Sequence, residues 1–208
     1  MEKCKIKKDR KMKFSVLVLV GLMLASCGPD TKNIDMNDDR ADAVMALDHR
    51  DFTKAADTMI KSMLNSNALN KADGSRFVVA LSTIKNDTMQ RIDTSQLTAK
   101  IRRDLLNSGR CIMTTAVGTQ QDALNIEARK LRESAEFNQE TVQEQGQLVA
   151  PDLSLAGKIF QRNIRLDNGD QQVEYYFTLM MTDLKTGLAI WEDEVTMGKR
   201  GSGKSATW

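Results

Sequence analysis

The 208-residue chain has little of the chemistry that arms an active site. It holds three cysteines and one histidine, and only 5% of its residues are aromatic. Cys4 and Cys27 lie near the start, and Cys111 stands alone after them, so the rest of the chain can close no internal disulfide. It must fold by its core alone, and about 180 residues are enough for one domain. No pair of His or Cys has metal-ligand spacing. His49 would be the only imidazole available to a Cys111 thiol, and Cys111-Ile112-Met113 reads as an apolar stretch that packs. No Ser, Cys or Lys has an evident base, and the carboxylates are spread along surfaces. No catalytic residue, metal or cofactor is expected. The apolar run Phe14 to Ala25 is too short for a bilayer span, which needs about 20 residues.

What is there begins with a basic head. Residues 1–13 carry seven Lys or Arg against Glu2 and Asp9. The apolar run follows, and Leu24-Ala25-Ser26-Cys27 closes it. Basic head, short apolar middle and small residues make a secretory signal peptide. The closing four resemble the bacterial lipobox, which implies cleavage before Cys27 and acylation of its thiol and new amino group. Several acyl chains on one residue anchor stably where a single chain is marginal. An ordinary signal peptide with a chance cysteine is the alternative. Translation starting at Met12 would leave the same mature chain. The whole chain is formally +2, and the first 27 residues hold a surplus of 5, which leaves −3 for residues 28–208. A weakly acidic mature chain argues against a nucleic-acid binder.

The expected boundaries are a signal peptide over 1–26, a lipidated tether over 27–40, one globular domain over 41–197 and a flexible basic tail over 198–208. The tether, rich in Asp and without a core to bury, reaches about 45 Å fully extended and about 20 Å as a coil.

Within the domain, Phe52, Ala55, Ala56, Met59, Ile60, Met63 and Leu64 recur at helical spacing. They predict a helix over 52–65 capped by Asp51. Phe77-Val78-Val79-Ala80-Leu81 predicts a strand within 76–84, with a turn at Asn86-Asp87-Thr88. A second helix follows Asp93 or Thr94, with Asp93 and Gln96 at capping-box spacing. It buries Leu97, Ile101, Leu105 and Leu106 and ends at Gly109. Residues 111–117 read as a strand. Residues 120–137 read as a third helix with Leu124, Ala128, Leu131 and Ala135 on one stripe. Residues 138–147 are polar and ambiguous.

The end of the chain has a strand's period of two. A strand starts at 153–159, and Asn168-Gly169 makes a hairpin turn. Val173, Tyr175, Phe177, Leu179 and Met181 then alternate with Glu174, Tyr176, Thr178, Met180 and Thr182. Lys185-Thr186-Gly187 turns into a last strand over 188–197. These three strands form an antiparallel meander. The class is α+β, with helices packed on one mixed sheet. Leu105 and Phe177 are expected in the core on opposing elements, and Trp191 is expected to pack rather than to anchor a partner.

Gly198-Lys199-Arg200-Gly201-Ser202-Gly203-Lys204-Ser205 fits the phosphate-loop pattern. That loop works only when a helix follows to present its amides, and three residues remain. The stretch therefore reads as tail.

Several segments together resemble the LpoB-type penicillin-binding-protein activator lipoproteins. They are residues 56–64, Ile84 to Thr88, Ile92 to Leu97, Leu105 to Gly109, Leu155 to Ile159, Tyr175-Tyr176 and Asp183 to Trp191, with the lipobox upstream. The resemblance implies a domain similar to the N-terminal domain of the periplasmic Tol B protein. It also implies an outer-membrane lipoprotein facing the periplasm that binds and activates a bifunctional class A penicillin-binding protein, is not itself an enzyme, and works as a monomer. The tether is shorter than in well-known members, and Ala150-Pro151-Asp152 stands where the family more often has Ala-Asp with an aromatic. A lipid-anchored assembly subunit of Tol-like or secretion-associated type is the alternative. A nucleotide hydrolase using the tail motif and a solute-binding lipoprotein are further readings.

Overall fold

The computed structural model describes residues 35, 38 and 44–202. Apart from Asp35, these belong to one unit that begins at Asn37. Cys27, the signal peptide and most of the tether lie outside the described residues, as does the end of the tail from residue 203.

Helix α1 runs from His49 to Asn65. It starts before the expected Phe52, and its cap is Asp48 rather than Asp51. Asp48 accepts from the amides of Arg50 and Asp51 at 2.9 and 3.1 Å, and Asp51 Oδ2 accepts from the Asp48 amide at 2.9 Å. This is a reciprocal capping box with Asp in the place usually taken by Glu or Gln. Burial alone would raise the Asp48 carboxyl, but the Arg50 side chain and the Asp51 amide hold it below its usual range. Ala55, Ala56, Met59, Ile60 and Met63 form the buried face.

Strand β1 spans Phe77–Asp87 and takes in Asn86 and Asp87, which were expected to turn. The turn comes after them, where Asn86 Oδ1 accepts from the Thr88 amide at 3.1 Å. Helix α2, Ser95–Asn107, buries Leu97, Thr98, Ile101 and Leu105. Leu106 is 50% exposed, contrary to expectation, while Thr98 takes an inner position. Of the two expected acceptors Asp93 takes a first-turn amide and Thr94 does not, and no Asp93–Gln96 capping box forms. Asp93 Oδ1 accepts from the Ser95 amide, and Thr94 Oγ1 donates to Ile84 O, which ties the helix start to β1. Gly109 has φ +69°, the left-handed value that a helix end needs.

Strand β2 is only Cys111–Met113. From Ile112 to Asp152 no residue is buried. The expected third helix shrinks to α3, Ala123–Ala128, followed by a tight turn at Arg129–Glu133. Leu124, head of the expected apolar stripe, is 71% exposed. The stripe has no surface to pack on, and a short helix without packing does not propagate. A second tight turn, Gln139–Thr141, occupies the ambiguous stretch.

Strands β3 (Leu153–Arg165), β4 (Asp170–Asp183) and β5 (Ala189–Ser202) form the antiparallel meander. β5 continues through residues 198–202, which were expected as tail. Backbone pairing with Asp170 to Glu174 overrides the two glycines there. The sheet order is β2-β1-β3-β4-β5, and β1 runs parallel to both neighbours. Asp152 fastens the parallel join. Its Oδ2 accepts from the Val78 amide at 2.9 Å, and its own amide donates to Val78 O at 2.8 Å.

One face of the sheet holds the core. Val79, Leu81, Leu153, Leu155, Ile159, Val173, Phe177, Leu179 and Met181 cluster there with the buried faces of α1 and α2. Leu105 and Phe177 are both buried, on a helix and a strand as expected, and Trp191 packs half-buried against the same cluster. Burying such side chains drives the fold by about 1.5–3 kcal/mol each before entropy is counted.

Tyr175 is fully buried, and its hydroxyl accepts from Gln90 Nε2 at 2.8 Å and donates to Met45 O at 3.1 Å. Burial, then the Asp51 carboxylate, push its phenol up to about 12 from 10.0. The folded protein therefore keeps a proton that the unfolded chain loses above pH 10, so this contribution is intact below pH 10 and lost as pH rises toward 12. Tyr175→Phe is expected to cost about 1–3 kcal/mol at neutral pH through the two abandoned partners. It should also flatten the alkaline decline in stability. Urea unfolding of both proteins at neutral and alkaline pH checks this, and parallel declines would refute it.

Candidate partner interface

The alternation that sends odd-numbered residues of the meander into the core sends the even-numbered ones outward. Neither long helix covers this second face, because the buried apolar residues of α1 and α2 all join the cluster on the first. At its centre Phe160 and Tyr176 sit directly opposite on β3 and β4. Their rings stack in parallel, 4.6 Å between centroids and 3° between planes.

Charge is arranged around this pair. Lys158 Nζ lies 2.6 Å from Asp87 Oδ2 and 5.4 Å from the Phe160 centroid. The Lys158 ammonium, by hydrogen bond and by charge, holds the Asp87 carboxyl below its usual range. The Tyr176 hydroxyl donates to Glu174 Oε2 at 2.7 Å, and Gln172 Nε2 donates to Oε1 at 2.8 Å. The first bond, then the second, lower the Glu174 carboxyl, and the first also raises the Tyr176 phenol. Toward β5, Met180 is 39% exposed with Glu192 opposite it, and Glu194 stands opposite Thr178. An aromatic pair, an exposed methionine and a rim of charge of both signs compose a surface fit for binding a protein.

A depression of about 170 Å³ lies between β1 and the start of α2, lined by Thr83, Asp93, Thr94, Thr98 and Thr119 among others. Ligand pockets usually hold about 300–1,000 Å³. Among the described residues no group of three His, Cys, Asp or Glu could hold a metal ion. Cys111 is buried in β2 with Sγ 3.8 Å from Leu105 O, and burial pushes its thiol up, which is the reverse of activation. His49 is exposed at the first position of α1. The first part of the phosphate-loop pattern, Gly198 to Ser202, is paired strand with no loop to cradle a phosphate. No helix among the described residues is long and apolar enough to cross a membrane.

Residues 51–197 match the family model described as Peptidoglycan-synthase activator LpoB. The chain belongs to the LpoB family.

Comparison with curated proteins finds no match. Among solved structures, the LpoB C-terminal domain from Salmonella enterica aligns over 71% of this chain and 98% of its own, at 14% identity and TM-score 0.44. The Escherichia coli LpoB C-terminal domain gives the same values. The NMR structure of E. coli LpoB aligns over 85% of both chains, at 15% identity and TM-score 0.40. The family assignment rests on the family model and not on these distant likenesses. LpoB proteins are activators of peptidoglycan synthases, a regulatory and not a catalytic family.

Of this surface, the sequence placed Tyr176 and Glu174 on the outward side of β4 by alternation alone. It did not place Phe160 beside them. Phe160 falls just past the expected start of β3, and its partner is fixed by a hairpin register that only the turn length sets.

Proposed function

We propose that this LpoB-family chain is an outer-membrane lipoprotein, anchored through acylated Cys27, that binds a bifunctional class A penicillin-binding protein and speeds its glycan polymerisation and cross-linking. The observation that carries the reading is the family match over residues 51–197. The lipobox supports the anchor, and the uncovered Phe160–Tyr176 face supports binding by contact. Activation is by docking and not by chemistry on the substrate. The partner sits at the inner membrane, so a tether of about 45 Å maximal reach makes activation in cells sensitive to the length of residues 28–40.

The test compares the soluble domain, about residues 41–208, with each class A synthase of the same organism in a lipid II polymerisation assay. Binding and a faster rate are expected. Tyr176→Ala is expected to weaken both while the unfolding midpoint changes little. If the domain neither binds nor accelerates any of these synthases, the reading fails. In cells, wild type should incorporate labelled fatty acid and Cys27→Ser should not. Equal labelling would refute the anchor.

A further inference from the structure

Residues 44–47 precede α1 and form no helix or strand, yet Met45 and Leu47 pack half-buried against the core cluster. Side chains grip them. The Tyr175 hydroxyl donates to Met45 O at 3.1 Å and Lys199 Nζ to Ala46 O at 2.7 Å, while the Leu47 amide donates to Gln90 Oε1 at 3.2 Å. Further upstream, Arg50 Nη1 donates to Asp38 O at 3.0 Å. Among the described residues no backbone-to-backbone hydrogen bond joins residues 44–47 to the domain.

Each gripping group has a second partner inside the domain. Lys199 also pairs with Asp51, Tyr175 and Gln90 bond each other, and Arg50 pairs with Asp48. The Asp48–Asp51 capping box closes α1 without help from the segment before it. If residues 38–47 lift away, both cations keep a carboxylate and the helix keeps its cap. The usual cost of breaking a polar contact, a buried group left without a partner, is therefore avoided. What holds the segment is chiefly the packing of Met45 and Leu47. Gly201 makes room for the first of these, since a Cβ there would lie 2.8 Å from Met45 Sδ and 3.2 Å from its Cγ. The two states differ in reach. With the hold beginning at Asp38, at most residues 28–37 lie between Cys27 and the domain, about 35 Å fully extended. With the segment released, residues 28–48 precede α1, about 70 Å.

We propose that residues 38–47 are a detachable strap, whose release adds roughly 35 Å to the reach of the lipid-anchored domain. Release concerns the domain alone, and its use as reach rests on the acylated Cys27 of the proposed function. Two full-length variants set the strap. Met45→Cys with Gly201→Cys locks it, because side chains this close can meet the geometry of a disulfide. Gly201→Val pushes Met45 out and leaves the strand intact, since Gly201 has no left-handed φ and β-branched residues suit strands. Amide hydrogen exchange of the full-length chains in detergent reads the release. In the unsubstituted chain the Leu47 amide should exchange at least tenfold faster than those of Met59 and Ile60. The lock should slow it at least tenfold, and reduction should restore it. Gly201→Val should speed it and leave the α1 amides unchanged. Reach is read on chains anchored by their own lipid in a supported bilayer and pulled by a C-terminal tag. Tension should begin roughly 35 Å farther out in Gly201→Val than in the locked chain. A chain that does not enter the bilayer refutes the anchor, and the exchange rates still decide the strap. Leu47 exchanging in step with α1, cysteines that do not join in a folded chain, or equal reach in the two variants would each overturn the proposal.

Discussion

Phe177→Ala is expected to destabilise the domain by about 3–5 kcal/mol, the usual range for a phenylalanine lost from a core. The ring is 1% exposed at the middle of β4, with Ile159 on β3 and Val195 on β5 directly opposite it. Phe52 from α1 meets it edge-on, at 6.0 Å and 85°. Ladder hydrogen bonds hold both neighbouring strands, so the space left by the ring cannot close by collapse. Phe160→Ala, one strand away on the other face, should cost clearly less, about 1–2 kcal/mol, since its ring is only half-buried and its stacking on Tyr176 adds about 0.5–1.5 kcal/mol. Urea midpoints of the two variants decide the matter. Equal losses would mean that the assignment of faces is wrong.

Gly157→Val should be nearly as damaging for the opposite reason, too much matter instead of too little. A Cβ at Gly157 would lie 2.6 Å from Leu179 Cδ2 and 2.7 Å from the backbone oxygen of Thr178. The leucine can move but the ladder oxygen cannot. Leu179 faces Gly157 across the β3–β4 pair, and the β1 register also shifts just before its partner Ile84. Overpacking a site fixed on two sides costs about 3 kcal/mol. The expected result is a large fall in the unfolding midpoint and in soluble yield. A midpoint equal to wild type would show that β3 and β4 can slide apart without loss.

The meander was legible because its period is strict and its turns carry their own chemistry. Asn168-Gly169 and Gly187 sit where the chain turns, with φ +84° and +73° at the two glycines. What the sequence hid is what another element decides. Leu106 fits the apolar spacing of α2 as well as Thr98 does, and only the position of β1 shows which one points inward. The stripe through Leu124 and Leu131 is helical in spacing but finds no facing surface, and periodicity is blind to that. Gly198 and Gly201 look like the start of a tail until β4 is there to pair with them. The outward face is half-legible for the same reason, with Tyr176 given by alternation and Phe160 by a partner strand.

The parallel join between β1 and β3 links residues far apart in the chain, as the bond between Val78 and Asp152, 74 positions apart, illustrates. Closing a loop of that length costs about 4 kcal/mol of chain entropy, whereas each hairpin of the meander closes over a few residues. The C-terminal sheet should therefore assemble early, and the α1-β1-α2 half should dock onto the free edge of β3 late. The long stretch between them, in which no residue from Ile112 to Asp152 is buried and Met113 alone is packed against the core cluster, adds little core to either half. A single cut within it would leave two pieces with their shared core intact, able to find each other again in solution.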